Sequence, residues 1–134
     1  MTPASVDVAN MIVANSELGL TFAQDVFVGK EPATPNECVT IFDTPGQPDD
    51  MLLGGKTDPP WIRPSVAVRV RSMSYLDGWT LINQIKELLH GVNNEVWGGC
   101  TYGLISSMGS PHLHDWDENG RVRFLALFNL QRTI

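Results

Sequence analysis

The sequence has 134 residues, of which 43% are hydrophobic and 18% are charged. This length suits a single domain, and the composition predicts a packed core and excludes a wholly disordered chain. The net charge of −6 argues against a sequence-specific nucleic-acid reader, because such proteins usually present a basic surface. The charge is unevenly placed: residues 1–62 hold nine acidic and two basic side chains, and residues 63–134 hold six acidic and seven basic ones.

Signals for export and membrane insertion are lacking in the sequence pattern. The first residues show no basic region followed by an apolar run, and no stretch approaches the ~18 apolar residues of a membrane span. We therefore expect a soluble protein made in the cytoplasm, without membrane contact. In that compartment Cys38 and Cys100 would be reduced thiols.

The first part of the chain predicts one helix and two strands. Apolar residues recur at helical spacing over residues 5–16, and Gly19 is a plausible stop. Residues 25–30 and 38–43 are rich in β-branched and aromatic side chains, which favour strands. Two prolines between these segments predict a short turn.

Residues 44–62 form a long loop rich in proline and glycine. A loop of this length in a small domain usually serves a function. It combines acidic and apolar side chains that an isolated domain would leave poorly protected, so we expect a neighbouring subunit to cover them. The loop residues predicted to make this contact are Asp49, Asp50, Met51, Leu52, Leu53 and Trp61.

The middle of the chain contains the clearest strand and the clearest helix. Residues 64–72 alternate, so that Val66, Val68 and Val70 point to one face and the intervening residues to the other. Residues 75–91 predict an amphipathic helix that ends at Gly91.

The last third predicts antiparallel strands at residues 96–97, 101–108, 112–117 and 121–132. Asn119-Gly120 is a favoured two-residue hairpin turn and would pair the last two of these strands. The whole chain therefore predicts a single α+β domain, with a mixed, mostly antiparallel sheet and two helices packed on one face.

Little in the sequence indicates catalysis. His112 and His114 are two residues apart, so a strand would point both to one face, where with Asp117 they could hold a divalent metal. A solvated hairpin arm is the interpretation we favour. Either cysteine could pair with a histidine as a nucleophile, but no catalytic motif surrounds them. Residues 54–57 lack the glycine spacing of a phosphate-binding loop. We expect neither an enzyme nor a bound metal or cofactor.

Basic side chains recur on the strand faces opposite the predicted core: Arg69, Arg71, Arg121 and Arg123. They could contact phosphate, pair with acidic residues of an adjacent subunit, or remain solvated. The acidic first half favours the second interpretation, in which the arginine face of one subunit meets the acidic loop of the next and the contacts close into a ring. Leu125 and Leu127 interrupt the same polar face, and either a ring contact or a helix of the same domain would bury them.

Several segments, taken in chain order, match a known pattern. They are a strand and turn at residues 36–46, a strand at residues 64–71 after the proline-rich loop, a helix beginning at Tyr75, the residues 117–121, and a final strand ending at residues 129–132. In order and spacing, over about residues 26–132, the sequence resembles the tail-terminator, or minor capsid, proteins of long-tailed bacteriophages and prophages.

The resemblance implies a structural protein of the virion tail or neck. Such proteins form a hexameric ring on the head-proximal end of the tail tube, stop polymerisation of the tube protein, and present a docking surface to the head connector or stopper protein. DNA passes through the lumen, and an acidic lumen surface would repel the phosphates and let the duplex slide through. Two alternatives stay open: a head-completion or connector adaptor protein of the neck, and a small metal-dependent enzyme using His112 and His114.

Overall fold

The structure is a computed structural model that describes residues 2–48 and 61–133. Within these residues the chain forms two helices and seven strands. In chain order they are α1 (Ala4–Ala14), β1 (Val26–Val28), β2 (Cys38–Thr44), β3 (Ser65–Ser72), α2 (Tyr75–Leu89), β4 (Glu95–Trp97), β5 (Cys100–Ser107), β6 (His112–Trp116) and β7 (Val122–Arg132). No helix of the described part is long and apolar enough to cross a membrane.

The strands form one sheet with β7 at its centre, in the order β1-β2-β3-β7-β5-β4. β3 pairs with one edge of β7, and the other edge is shared by β6 along the first half of β7 and by β5 along the second half. The named strands pair antiparallel except β1 with β2, which are parallel. The sheet is therefore mixed and mostly antiparallel, as the sequence predicted.

Alternation in β3 and β7 builds the core. Val66 and Val68 of β3 are fully buried beside Phe128 and Ala126 of β7. α1 packs over β1, β2 and β3, and α2 packs over β3, β5 and β7. Both helices cover this same face of the sheet, which confirms the predicted α+β architecture.

The ends of α2 follow local signals. Ser74 caps the first turn, where its Oγ accepts a hydrogen bond from the Asp77 N–H at 3.3 Å. Gly78 lies where the helix crosses the sheet, and a Cβ at this position would be 3.0 Å from the Phe124 ring. The close packing that glycine permits here offsets its unfavourable conformational entropy within a helix. The helix ends at Leu89, two residues earlier than predicted. α1 likewise ends two residues early, at Ala14.

Two short turns join the strands of the last third. Gly98-Gly99 connects β4 and β5 with φ of +59° and +79°, which is the two-residue hairpin geometry. β6 and β7 do pair, as predicted, but their connection spans five residues because Trp116 is the partner of Val122. The predicted two-residue turn was wrong. The carboxylate of Asp117 accepts hydrogen bonds from the backbone N–H groups of Asn119 at 3.0 Å and Arg121 at 2.8 Å, and these bonds stabilise a wider turn.

A buried polar cluster ties the beginning of α1 to the end of β7. The carboxylate of Asp7 accepts hydrogen bonds from the Thr2 hydroxyl at 2.8 Å, the Tyr102 hydroxyl at 2.5 Å and the Arg132 guanidinium at 3.3 Å. Burial and the hydrogen bond to Asp7 raise the pKa of Tyr102 above its usual range, so the hydroxyl remains a donor. The cluster packs against Gly98, where a Cβ would collide with the Asp7 carboxylate.

Candidate subunit interface

The sheet has a second face, turned away from the helices, which we call the outer face. On β7 it carries Arg123, Leu125 and Leu127 in succession, and β3 places Arg71 and Arg69 directly opposite the first two of them. The prediction that these five strand residues share one face is confirmed. Since Arg71 and Arg123 are cross-strand partners, their like charges would destabilise the sheet unless a carboxylate lay between them.

The connection from β1 to β2, residues 29–37, crosses one end of the outer face, and we call it the strap. Arg71 fastens it by donating hydrogen bonds to the backbone carbonyls of Pro32 at 2.7 Å, Pro35 at 2.6 Å and Asn36 at 3.3 Å. The arginine is 2% exposed. A guanidinium suits this position because it offers five N–H donors in one rigid plane.

Glu31 of the strap supplies the carboxylate that the arginines need. Its Oε1 lies 3.3 Å from Arg69 Nε, and its Oε2 lies 3.4 Å from Arg71 Nη1 and 3.0 Å from Arg123 Nε. Asp115 of β6 adds a second carboxylate to Arg123 at 3.1 Å. Burial lowers the pKa of Arg123. The hydrogen bond to Asp115 and the charge of Glu31 outweigh this effect, so the pKa lies above its usual value.

Arg121, in the turn before β7, also holds the strap. It donates to Asp117 at 2.6 Å and to the carbonyl of Ala33 at 2.7 Å. Burial raises the pKa of Asp117, but hydrogen bonds from Arg121 and Asn119 outweigh it, so the pKa lies below its usual value. The carboxylate is therefore ionised at neutral pH and completes a buried ion pair.

These contacts correct the reason for which the arginines were assigned to an interface. The sequence argument paired them with acidic residues of an adjacent subunit, whereas the structure pairs them with carboxylates of their own chain. Arg71 and Arg121 are buried and hold the strap. Arg69 and Arg123 keep side-chain exposures of 23% and 22%, so contact with another subunit stays a prediction for these two.

The apolar candidates occupy different surroundings. Leu125 and Leu127 are half-buried, and since both helices lie on the other face, neither leucine is covered by a helix. Trp61 lies across β5, where the absence of a side chain at Gly103 leaves room for its indole ring. The other loop candidates, Asp49, Asp50, Met51, Leu52 and Leu53, lie outside the described residues, so their contact stays a prediction.

The histidine pair lies on β6. His112 is opposite Leu125 on the outer face, and His114 lies at the bulge between Leu113 and Asp115, without a cross-strand partner. In the part of the chain that the structure describes, no group of three histidine, cysteine, aspartate or glutamate side chains could hold a metal ion.

Cys38 and Cys100 are both buried free thiols, as the sequence predicted. Burial raises the pKa of Cys38, and the nearby charge of Arg71 compensates only in part. The thiol is therefore neutral at neutral pH and a poor nucleophile.

The structure exposes an apolar surface that sequence reasoning missed, which we call the aromatic patch. Tyr75 stacks on Trp116 at a centroid distance of 6.3 Å, and the edges of Tyr75 and Trp79 meet the buried Phe124 at 5.0 and 6.0 Å. The exposed side chains of the patch are Met73, Tyr75, Leu76, Trp79, Leu113 and Trp116. Four of them fall within seven consecutive positions, and that concentration is the signal available in the sequence.

Solved structures with very different sequences share this fold. One is described as "Virion of native gene transfer agent (GTA) particle"; the TM-score is 0.69 at 11% identity, over 97% of this chain and 94% of that chain. A second, which carries a sequence identifier in place of a descriptive name, has a TM-score of 0.53 at 18% identity, over 100% of this chain and 97% of that chain. At these identities the likeness concerns the fold alone. No curated protein matches the chain.

The fold is that of a small α+β domain, in which the ionised side chains of the outer face hold the strap in place. The sequence then identifies the family. The family described as bacteriophage tail terminator protein matches residues 13–134. This chain belongs to the bacteriophage tail terminator family and is a structural protein of the phage virion.

Proposed function

We propose that the protein is a ring-forming tail terminator. Six copies cap the head-proximal end of the tail tube, stop its polymerisation and join the tail to the head connector. The observation that carries this proposal is the family match over residues 13–134. The likeness in fold to a chain of a gene transfer agent virion supports it.

The partners follow from that role. They are further copies of the chain, the tail tube protein, and the head connector or stopper protein. The protein acts in the tail or neck of the virion after synthesis in the host cytoplasm, and it is not an enzyme. DNA passes through the ring without sequence-specific contact. The net charge of −6 supports this last point, because an acidic lumen repels phosphate and lets the duplex slide.

The loop at residues 44–62 is proposed to contact a neighbouring subunit or the tube. A protease should then cut within these residues in the free subunit and fail to do so in the assembled virion. Cutting at equal rates in both would contradict the contact.

Cryo-electron microscopy of the purified protein added to tail tubes tests the proposal. A six-membered ring on the head-proximal end of the tube is the expected result. A subunit seated against the portal and away from any tube would instead identify a connector adaptor of the neck.

A further inference from the structure

We infer that the aromatic patch of one copy docks on the outer face of a second copy of this chain. This contact deepens the proposed function, on which it rests, by naming the two surfaces that join neighbouring subunits of the ring.

The aromatic patch is large for a surface left to water. Its six side chains are between 42% and 72% exposed. At about 200 Å² for a side chain of this size, the patch exposes roughly 600 Å². The largest apolar patch of a typical monomer covers about 300–600 Å² and is often functional, and a standard interface covers about 800 Å² per partner. The patch therefore has the size of the apolar centre of a protein–protein interface.

The patch is also rigid, which favours binding. Tyr75 and Trp79 rest on the ring of Phe124, which is fully buried, and Trp116 stacks on Tyr75. Aromatic side chains that are already fixed lose little conformational entropy on association. Leu76, by contrast, is 72% exposed, so the fold itself gains little from an apolar residue there.

The two surfaces lie on opposite sides of the subunit, as a head-to-tail contact with a second copy requires. The patch lies on the helix side of the sheet, since Trp116 and Leu113 are cross-strand partners of Val122 and Phe124. The outer face, with Leu125 and Leu127, lies on the opposite side. A contact between two different surfaces that face opposite ways is head-to-tail, and repeated head-to-tail contacts form a ring when the rotation between successive copies closes.

Charge around the two surfaces is complementary. Glu37 and Asp77, both exposed, border the patch, and Glu37 accepts a hydrogen bond from the Met73 N–H at 3.0 Å. On the outer face three arginines meet two carboxylates, which leaves a net charge of +1: Arg69, Arg71 and Arg123 with Glu31 and Asp115. An acidic rim meeting a face of net positive charge orients the encounter and disfavours contacts between two identical surfaces.

A complementation experiment tests the contact. Leu76→Asp damages the patch and Leu127→Asp damages the outer face, so each variant keeps one intact surface. Each alone should associate at least ~30-fold more weakly than the wild type, the loss typical of a central interface residue. Mixed in equal amounts, the two should form a one-to-one dimer and no ring, measured by native mass spectrometry. Phe22→Asp, a 43% exposed apolar residue outside both surfaces, is the matched control and should assemble normally.

Circular dichroism checks the fold of each variant. If Leu127→Asp does not fold, Leu104→Asp takes its place, since Leu104 is 44% exposed and is the partner of Gln131 on the outer face. Rings formed by Leu76→Asp, or a mixture that stays monomeric while the wild type assembles, would overturn the inference.

If the free wild-type protein is monomeric, a chain carrying both Leu76→Cys and Leu127→Cys is oxidised on tail tubes. A ladder of covalent oligomers is expected; cross-links to the tube protein, or none at all, would overturn the contact. The two proposals fail separately. Rings that form through these surfaces but do not bind tubes would refute the proposed function, whereas capped tubes with Leu76→Asp would refute only the inference.

Discussion

Replacing Arg71 with methionine should damage the subunit itself before it affects any contact between subunits. The side chain is 2% exposed and donates to three strap carbonyls at 2.6, 2.7 and 3.3 Å. A hydrogen bond from a charged donor contributes about 1.5–3 kcal/mol, and removing one partner of a buried ion pair costs about 3–5 kcal/mol. We expect the free energy of unfolding to fall by about 3–5 kcal/mol, because three strap carbonyls lose their charged donor and Glu31 keeps only Arg69 and Arg123 of its three arginines.

Urea unfolding followed by circular dichroism measures this change, with Arg69→Met as the matched control. Arg69 lies on the same face of β3, is 23% exposed, and touches the same Glu31 at 3.3 Å. Its loss should cost about 1 kcal/mol or less, as expected for a partly solvated ion pair. Equal costs for the two variants, or a cost below about 1 kcal/mol for Arg71→Met, would refute the reasoning that the strap depends on this one guanidinium.

Three further predictions concern other parts of the subunit. Tyr102→Phe should lower the free energy of unfolding by about 1–3 kcal/mol, because a buried carboxylate loses a donor, while Tyr75→Phe should change it by about 0.5 kcal/mol or less. Gly98→Ala should lower the melting temperature more than Gly99→Ala, because both positions have positive φ but only the Cβ at Gly98 collides with a neighbour. The ionised carboxylate of Asp117 stabilises the fold above its unfolded pKa of about 3.9, and this contribution is lost as the pH falls through the lower folded pKa. The stability difference between the wild type and Asp117→Asn, measured by urea unfolding, should therefore shrink below about pH 4.

Each of these predictions has an outcome that contradicts it. Equal stability of the two tyrosine variants would mean that the buried hydroxyl contributes nothing. Equal melting temperatures for the two alanine variants would mean that α1 does not press on the β4–β5 turn. If the difference in the free energy of unfolding between the wild type and Asp117→Asn stays constant down to pH 2, this carboxylate titrates alike in the folded and unfolded chains.

Most of the fold could be predicted from the sequence because its signals are local. The strict alternation in β3 and β7 shows which side chains face the core, and the apolar stripe of α2 identifies the helix that covers them. The width of the β6–β7 turn could not be predicted from Asn119-Gly120, because it depends on the carboxylate of Asp117. The bulge in β6, between Leu113 and Asp115, likewise leaves no local signal.

The site was predicted less well because its contacts are long-range. Alternation correctly placed Arg71 and Arg123 on one face, but Glu31, which pairs with both, is 92 residues from Arg123. Sequence spacing does not show which distant segment folds over a sheet, so the sequence argument looked for acidic partners in an adjacent subunit alone. The aromatic patch was missed for a related reason. Helical periodicity identifies the residues that face the core, and it does not show that Tyr75 and Trp116 meet across the sheet edge.

The central position of β7 has a consequence for how the subunit is made. β7 leaves the ribosome after β3, β5 and β6, yet all three strands pair with it. Until residues 122–132 emerge, the nascent chain holds strands with unpaired edges, the condition under which chains aggregate or recruit chaperones. Arg132 must then reach Asp7, 125 residues earlier in the chain. The sheet therefore cannot be completed until residues 122–132 have been translated, and the earlier strands must avoid other partners until then.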